Sequence, residues 1–444
     1  MSNADTASAL QLEVRHSLSD VTEQSWNALN VLQNPFLRHE FLAALEQTGC
    51  LGQTTGWFPR YFLLWNNNHS AAPGAEKDDD AERELIAAVP CFVKTNSYGE
   101  FVFDFAWAES YQQHGLSYYP KLVAAVPFTP ATGQRILISP EHPRKPIISM
   151  LATSIRHYCR EQDYSSLHWL FPTQEECDQL CEQAPAFKNK SQADALKEDE
   201  INEADEATVL IEHSASDHLQ RINCQYHWRN RGYTSFNDFL QQCTAKRRKT
   251  IKRERRYVSD AKLRVERRLG ASLSDQEWQW VHELYCATYD RKWGSPSLTL
   301  DFFRQMGKTM GEATLIVFAY DSTDETPDAP IACSIMFSGG GCLYGRYWGC
   351  RVQHNSLHFE ACYYQGIEYC LEQGFETFEP GAQGEHKITR GFEPTITYSA
   401  HYLAEPAFRD AVNRFLQDES RYIRQRCEGL TNLLPFKADL DLNK

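Results

Sequence analysis

Between Tyr344 and Phe392 the chain gathers Arg346, Arg351, His358, Glu360, Glu379, Gln383, Glu385, His386, Lys387 and Arg390, with Tyr347, Trp348 and Tyr364 among them. Carboxylates and imidazoles can take a proton from a reacting group, and lysine and arginine can hold an anion or a developing negative charge. So many polar and aromatic side chains in one stretch are costly if they only fill surface or core. Gly381, Gly384 and Gly391 favour a ligand site, because glycine permits the backbone conformations that close approach to a ligand requires. The competing reading is a surface laced with salt bridges.

Other chemistries leave no such mark. There is no G-x-S-x-G elbow and no H-E-x-x-H pair. Gly307-Lys308-Thr309 resembles the end of a phosphate-binding loop, but Phe302 stands where its first glycine belongs and the segment reads as helix. His354, His358 and Glu360 have the count of a metal set. A helix cap at Asn355 or Ser356 would turn His354 off the helical face, so no metal is assigned. The 14 cysteines include no C-x-x-C, and Cys177 with Cys181 is the closest pair, a pattern of reduced thiols in a cytoplasm.

The elements that must position these residues follow from periodicity. Ser235 can cap a helix running to Cys243, a basic helix follows, and Leu263–Leu269 reads as a strand. Trp278, Val281, Leu284 or Tyr285, and Thr288 share one face of a helix over Asp275–Tyr289, and another helix lies near Leu300–Met310. Thr314–Tyr320, Ile331–Ser338 and Cys342–Gly349 read as an antiparallel meander. Leu357, Ala361, Tyr364, Ile367 and Leu371 mark a helix stopped by Gly374, and Phe375–Glu379 is the next strand. A strand near Thr395–Leu403 and a long helix from Pro406 complete the order. In the first half, Leu85-Ile-Ala-Ala, a turn and Ser97–Phe103 align loosely with Pro330-Ile-Ala-Cys, a turn and Leu343–Gly349, which predicts duplicated, superposable hairpins.

A chain of 444 residues exceeds what one core usually serves, and 42% apolar with 23% charged residues is a globular composition. No window of 18 uncharged apolar residues occurs, and the first 20 residues lack a basic region followed by an apolar one, so neither a membrane span nor secretion is expected. Ala75–Glu84 reads as a charged hairpin loop. Lys188–Ala207 carries seven acids and almost nothing apolar, and is taken as an acidic linker 188–207 between domains 1–187 and 208–444. The net charge of −14 excludes a chain that coats nucleic acid with its whole surface. Lys246–Arg268 is the exception, with twelve basic residues against Glu254, Asp260 and Glu266. It is either a solvated helix face or the contact for an anionic partner.

Taken together, NPFLRHEFLAALE, SYGEFVFDFAWA, QYHWRNRGY, TYDRKWGSP, GRYWGC, HFEACYYQGIEYC and GAQGEHKITRGF resemble the FemAB-like branch of the GNAT acyltransferase superfamily, from Pro35 to about Phe392. The resemblance implies an α+β fold of two GNAT-like units in tandem, with mostly antiparallel sheets flanked by helices. It implies an N-acyltransferase that passes an acyl or aminoacyl group to an amine, such as a cell-wall precursor or another amino-bearing metabolite. The donor would be acyl-CoA or aminoacyl-tRNA, used as a substrate, with no tightly bound cofactor. A Phe-Lys pair late in the second unit belongs to the substrate site of the wider branch; Lys387 matches its lysine, and His386 stands in place of the aromatic residue. Lys387 and Arg390 would then clamp substrate or oxyanion, with Lys387 exposed in a cleft, and His386 or Glu385 would take the proton. Arg346, Tyr347, Trp348, His358, Glu360, Tyr364, Glu379, Gln383 and Arg390 would bind substrate. Arg346, His358, Glu360, Glu385, His386, Lys387 and Arg390 would meet in one pocket. Arg346-Tyr-Trp-Gly349-Cys-Arg351 keeps only half of the GNAT pyrophosphate motif, so the donor stays open. Either donor carries phosphate, and Lys249, Lys252, Arg253 and Arg256 on the basic helix would hold it, with tRNA as a possible partner. The alternative is a non-catalytic RNA-binding or envelope-recognition module on the same fold.

Overall fold

The computed structural model describes residues 10–67, 83–182, 217–290, 295–323, 328–382 and 384–437. The acidic linker 188–207, Gln383 and most of the charged loop 75–84 lie outside them.

The first half contributes β1 (Leu10–Arg15), β2 (Trp57–Asn66), β3 (Glu84–Lys94), β4 (Lys121–Ala124), β5 (Leu137–Ile138) and β6 (Ser166–Leu170). The second contributes β7 (Leu219–Arg229), β8 (Leu263–Leu269), β9 (Thr314–Asp321), β10 (Ala332–Gly339), β11 (Cys342–Cys350), β12 (Thr377–Glu379) and β13 (Glu393–Leu403). Helices α1 (Glu23–Leu29), α2 (His39–Gln47), α3 (Phe105–Gln113), α4 (Arg144–Glu161) and α5 (Gln174–Cys181) flank the first group. Helices α6 (Phe236–Gln242), α7 (Ala245–Asp260), α8 (Asp275–Asp290), α9 (Leu300–Thr309), α10 (Leu357–Phe359), α11 (Gln365–Gln373) and α12 (Pro406–Thr431) accompany the second.

All of these strands join one mixed sheet in the order β1-β2-β3-β4-β6-β13-β7-β12-β11-β10-β9-β8, with β5 on β3. Each half repeats one plan. Strands β1 to β4 are antiparallel neighbours, and β6 returns parallel to β4 after α4. Strands β8 to β11 are likewise antiparallel, and β12 returns parallel to β11 after α11. This repetition is the tandem α+β arrangement expected from the sequence. One detail differs. β3 and β10 occupy equivalent places, but Ser97–Phe103 forms turns, and the strand that follows β3 in the sheet begins only at Lys121. The shared Tyr-Gly words therefore did not mark equivalent strands.

Local chemistry accounts for the boundaries. Ser235 accepts a hydrogen bond from the Asp238 N–H and opens α6, and Gly374, at φ 69°, ends α11 in the left-handed conformation that glycine adopts without a Cβ clash. The helix expected to run unbroken from Leu357 instead contains a π-helical turn, Glu360–Tyr364, between α10 and α11. Gly307-Lys-Thr309 lies within α9, as its pattern indicated.

The halves are not separately packed. Phe36 and Phe41 from the first stack edge-on against Phe302, Phe337 and Tyr344 of the second. Late elements return to the first half: β13 pairs with β6 as well as β7, and α12 buries Val412 and Leu416 against Trp107, Tyr111 and Tyr118. A seam crossed by both halves is where side chains far apart in sequence meet. Among the described residues no helix is long and apolar enough to cross a membrane.

Candidate active site

Strand alternation builds a polar wall at this seam. Along β7, Tyr226 and Trp228 enter the core, so His227 and Arg229 must face the other way. On β12, Phe378 pairs with Trp228 and is buried in the same core, which turns Thr377 and Glu379 to the face of His227 and Arg229. Glu393, opposite His227 on β13, joins them. Thr132, Thr173 and Gln174 of the first half close a cleft of about 720 Å³ over this wall.

Glu379 is the chemically distinctive group of the cleft. Its Oε2 accepts from the Thr132 N–H at 3.3 Å, and its Oε1 lies 3.9 Å from His227 Nδ1, too far for a hydrogen bond. Burial raises its carboxyl to about 7, against the opposing pull of the Thr132 N–H and of Arg135, Arg346 and Arg229. Of these charges Arg135 pulls hardest, while its guanidinium N–H groups donate to the carbonyls of Ala131, Gly133, Gln134 and Leu170 rather than to the carboxylate. His227 is held down to about 3 by burial and by the charges of Arg229 and Lys387, so it is neutral. Arg231 is bidentate to Glu393 at 2.8–2.9 Å. The Arg229 guanidinium, exposed at the cleft, has no hydrogen-bond or ion-pair partner among the described residues. A carboxyl poised near neutrality beside neutral imidazole and free guanidinium is suited to taking a proton from a bound amine.

Lys387 lies just behind. Strands β11 and β12 pair only over Cys342–Tyr344 and Thr377–Glu379, and then part. Gly381 turns the chain at that opening with φ 93°, a conformation that a side chain would strain. The Lys387 Nζ donates to the Gly381 carbonyl at 2.6 Å. The lysine is 2% exposed rather than open in a cleft as expected, because the short 3₁₀ turn Glu385–Arg390 folds it inward. Burial lowers its amine to about 7, opposed by the nearby Cys362 thiol.

The seven residues expected in one pocket divide among several places. Arg346 hydrogen-bonds the Phe128 carbonyl across the seam, and its charge reaches Glu379; the Tyr347 hydroxyl donates to the same carbonyl at 3.4 Å. Trp348, His358, Phe359, Tyr363 and His386 form a cluster of rings, in which His386 Nε2 lies 2.8 Å from the Tyr363 hydroxyl. Burial and the charges of Arg390 and Lys387 lower the His386 imidazole. Arg390 lies over the Phe359 ring at 3.4 Å and pairs with Glu254 of α7, which also receives the Tyr364 hydroxyl. Glu360 pairs with Arg255 of α7 at 2.9 Å. Glu385 forms a surface pair with Arg426. Thus Glu360, Tyr364 and Arg390 hold the basic helix in place. Its outer face carries Lys249, Lys252, Arg253 and Arg256 into solvent. Among the described residues no group of three or more His, Cys, Asp or Glu is placed to hold a metal.

Sequence reasoning missed His227, Arg229 and Thr132 as site residues. The alternation of QYHWRNR could have exposed the first two; Thr132 reaches Glu379 only through packing of the halves.

A model of the FemAB-like family, described by peptidoglycan biosynthesis/recognition, matches residues 17–438. No curated protein sequence matches the chain. Among solved structures, the chain is similar to FemX at 10% identity and TM-score 0.46, over 90% of this chain and 100% of the other. It is similar to L-PGS from Bacillus licheniformis at 9% identity and TM-score 0.43, over 84% and 95%. A tandem GNAT protein from the clavulanic acid biosynthesis pathway matches at 11% identity and TM-score 0.41, over 89% and 99%.

Proposed function

Since the chain belongs to the FemAB-like family, we propose that it is an N-acyltransferase whose seam cleft receives the amine acceptor, a cell-wall precursor or related amino-bearing metabolite. The observation that carries this reading is Glu379, a buried carboxyl near 7 with one oxygen free of hydrogen bonds in a cleft of ligand size. The acceptor's ammonium group gives a proton to Glu379, the lone pair so freed attacks the donor carbonyl, and a C–N bond forms. As the tetrahedral intermediate collapses, the C–S bond of a thioester or the C–O bond of an aminoacyl ester breaks, and the second amine proton goes to the leaving group. Negative charge on the carbonyl oxygen is stabilised by the Lys387 ammonium, which exchanges the Gly381 carbonyl for the oxyanion. Glu379 thus replaces His386 and Glu385 as the proposed proton acceptor, because His386 is turned to Tyr363 and Glu385 to Arg426.

The donor, acyl-CoA or aminoacyl-tRNA, places its phosphates on Lys249, Lys252, Arg253 and Arg256. What supports this is that α7 is pinned by ion pairs to the π-helical turn and to the 3₁₀ turn that carries Lys387. The division into units 1–187 and 208–444 about an acidic linker belongs to the same proposal, as does a cytoplasmic setting for either donor. Mass spectrometry of amide products from acyl-CoA and aminoacyl-tRNA donors with amine acceptors tests it. A chain that binds such ligands without forming an amide with any donor is a recognition module instead.

A further inference from the structure

All 14 cysteines are thiols, and most are closed in the core. One pair has a different setting. Cys224 lies on β7 with Tyr226 and Trp228 on the core-facing side, so it backs the wall that carries His227 and Arg229. The strand packs along α12, and there the Cys224 thiol is in hydrogen-bond contact with the thiol of Cys427. Cys224 is half-buried and Cys427 is 7% exposed. The pair therefore lies just under the surface, within reach of a small solute and closed to a large one. Two sulfurs in contact across different elements have the placement that a disulfide requires.

The surroundings favour a thiolate on one of the two. The Cys427 thiol is held below its ordinary value by the hydrogen bond from Cys224 and by the charges of Arg426 and Arg424, against the opposing effects of burial and of Glu428. Cys224 is raised by the same hydrogen bond and by burial. Cys177 and Cys181 also touch, but both ride on α5 one turn apart, and Asp178 rather than a cation stands beside them. Beyond Cys427, the end of α12 supports the candidate site. Arg426 holds Glu385, the first residue of the 3₁₀ turn that carries Lys387, and Leu430 shares a core with Ile388 and Phe392.

We propose that Cys224 and Cys427 are a peroxide-oxidised thiol pair whose disulfide clamps α12 to β7 behind the cleft. The Cys427 thiolate attacks one oxygen of hydrogen peroxide, the O–O bond breaks, and the departing hydroxide takes the proton of the Cys224 thiol to become water. The Cys224 thiolate then attacks the sulfenic sulfur of Cys427. The S–S bond forms, the S–O bond breaks, and the second hydroxide becomes water with the proton that Cys427 gave up on ionising. Each sulfur gives up one electron, and peroxide is reduced to two waters. A dithiol returns the pair to thiols. The clamp stiffens the support of the Lys387 turn and does not depend on what the cleft binds.

Treatment of the reduced full chain with a slight excess of hydrogen peroxide, followed by alkylation, digestion and non-reducing mass spectrometry, tests the bond. The expected result is one linked peptide pair, Cys224 to Cys427, that is lost on treatment with dithiothreitol. The melting temperature should rise by roughly 5 °C, as closing a loop of about 200 residues in a chain of this size provides, and return on reduction. Backbone amide exchange over Glu385–Arg390 should slow severalfold in the oxidised chain. Cys224→Ser should stop the reaction at Cys427, as a sulfenic acid trapped by dimedone, and Cys427→Ser should leave Cys224 a thiol. Arg424→Ala changes an exposed side chain and leaves both thiols in place, so it reads the order of attack even where a cysteine variant does not fold. It should slow the first step severalfold by letting the Cys427 thiol rise. No linked pair, a link between other cysteines, sulfenic acid forming first on Cys224, or a bond that leaves melting and exchange unchanged would overturn the proposal.

Discussion

Replacing Glu379 by Gln separates its proposed chemistry from its contribution to stability. Glutamine keeps the carbonyl that accepts from the Thr132 N–H and removes the charge that burial disfavours. A carboxyl raised from 4.5 to about 7 binds its proton more tightly in the folded than in the unfolded chain. Wild-type stability from this group is therefore complete below pH 4.5, declines as pH rises, and is lost above about 7. At 1.36 kcal/mol per unit the loss is about 3 kcal/mol. His227 stays neutral in the fold across pH 4.5–7, so the difference between the two chains in this window belongs to Glu379. In thermal melts the Glu379→Gln chain should match wild type near pH 4 and exceed it at pH 8, by roughly 2–3 °C for a chain of this size. Its transfer rate should fall by roughly 10²–10⁴-fold, the usual contribution of a general base. A difference in melting that does not change with pH would refute the buried carboxyl, and a variant as active as wild type would refute its role.

Lys387→Met should act with the opposite slope: an amine lowered from 10.5 to about 7 costs the fold most at pH 7 and below, so methionine's stabilising effect should shrink as pH rises toward 10.5 while transfer stays abolished. Arg390→Ala leaves Glu254 in a half-buried site without its partner and should cost about 3–5 kcal/mol in denaturant unfolding, marking Arg390 as part of the scaffold. Reversing Lys249, Lys252 and Arg256 to Glu should weaken donor binding in a way that fades with added salt; equal affinity at low salt would leave those residues a solvated face.

Helices and strands of the second half were legible because each carries its signal locally: Ser235 as cap, Gly374 as stop, and three apolar runs broken by turns. The π-helical turn at Glu360–Tyr364 was not legible, since an extra residue in a helix barely disturbs an apolar stripe, and its neighbours Arg255 and Glu254 come from over 100 residues away. The first-half hairpin misled because Tyr98-Gly99 and Tyr344-Gly345 share letters without sharing a place in the sheet. Within the site, Glu379 was singled out and Lys387 was located, but the burial that shifts both depends on the seam. Thr132 approaches Glu379 across 247 positions of sequence. No local pattern encodes that contact. Density of charge suggested one pocket, whereas Glu360 and Arg390 are bound to partners on α7, which periodicity alone does not pair.

The most direct measurement is the pH dependence of amide formation in single turnover, with the donor that proves competent and an acceptor at saturation. Wild type should show a bell with both limbs near pH 7, rising where Glu379 loses its proton and falling where Lys387 loses its own, and Glu379→Gln should keep only the falling limb. Amide formation in which both chains share the same rising limb would contradict the placement of the reaction in the seam cleft.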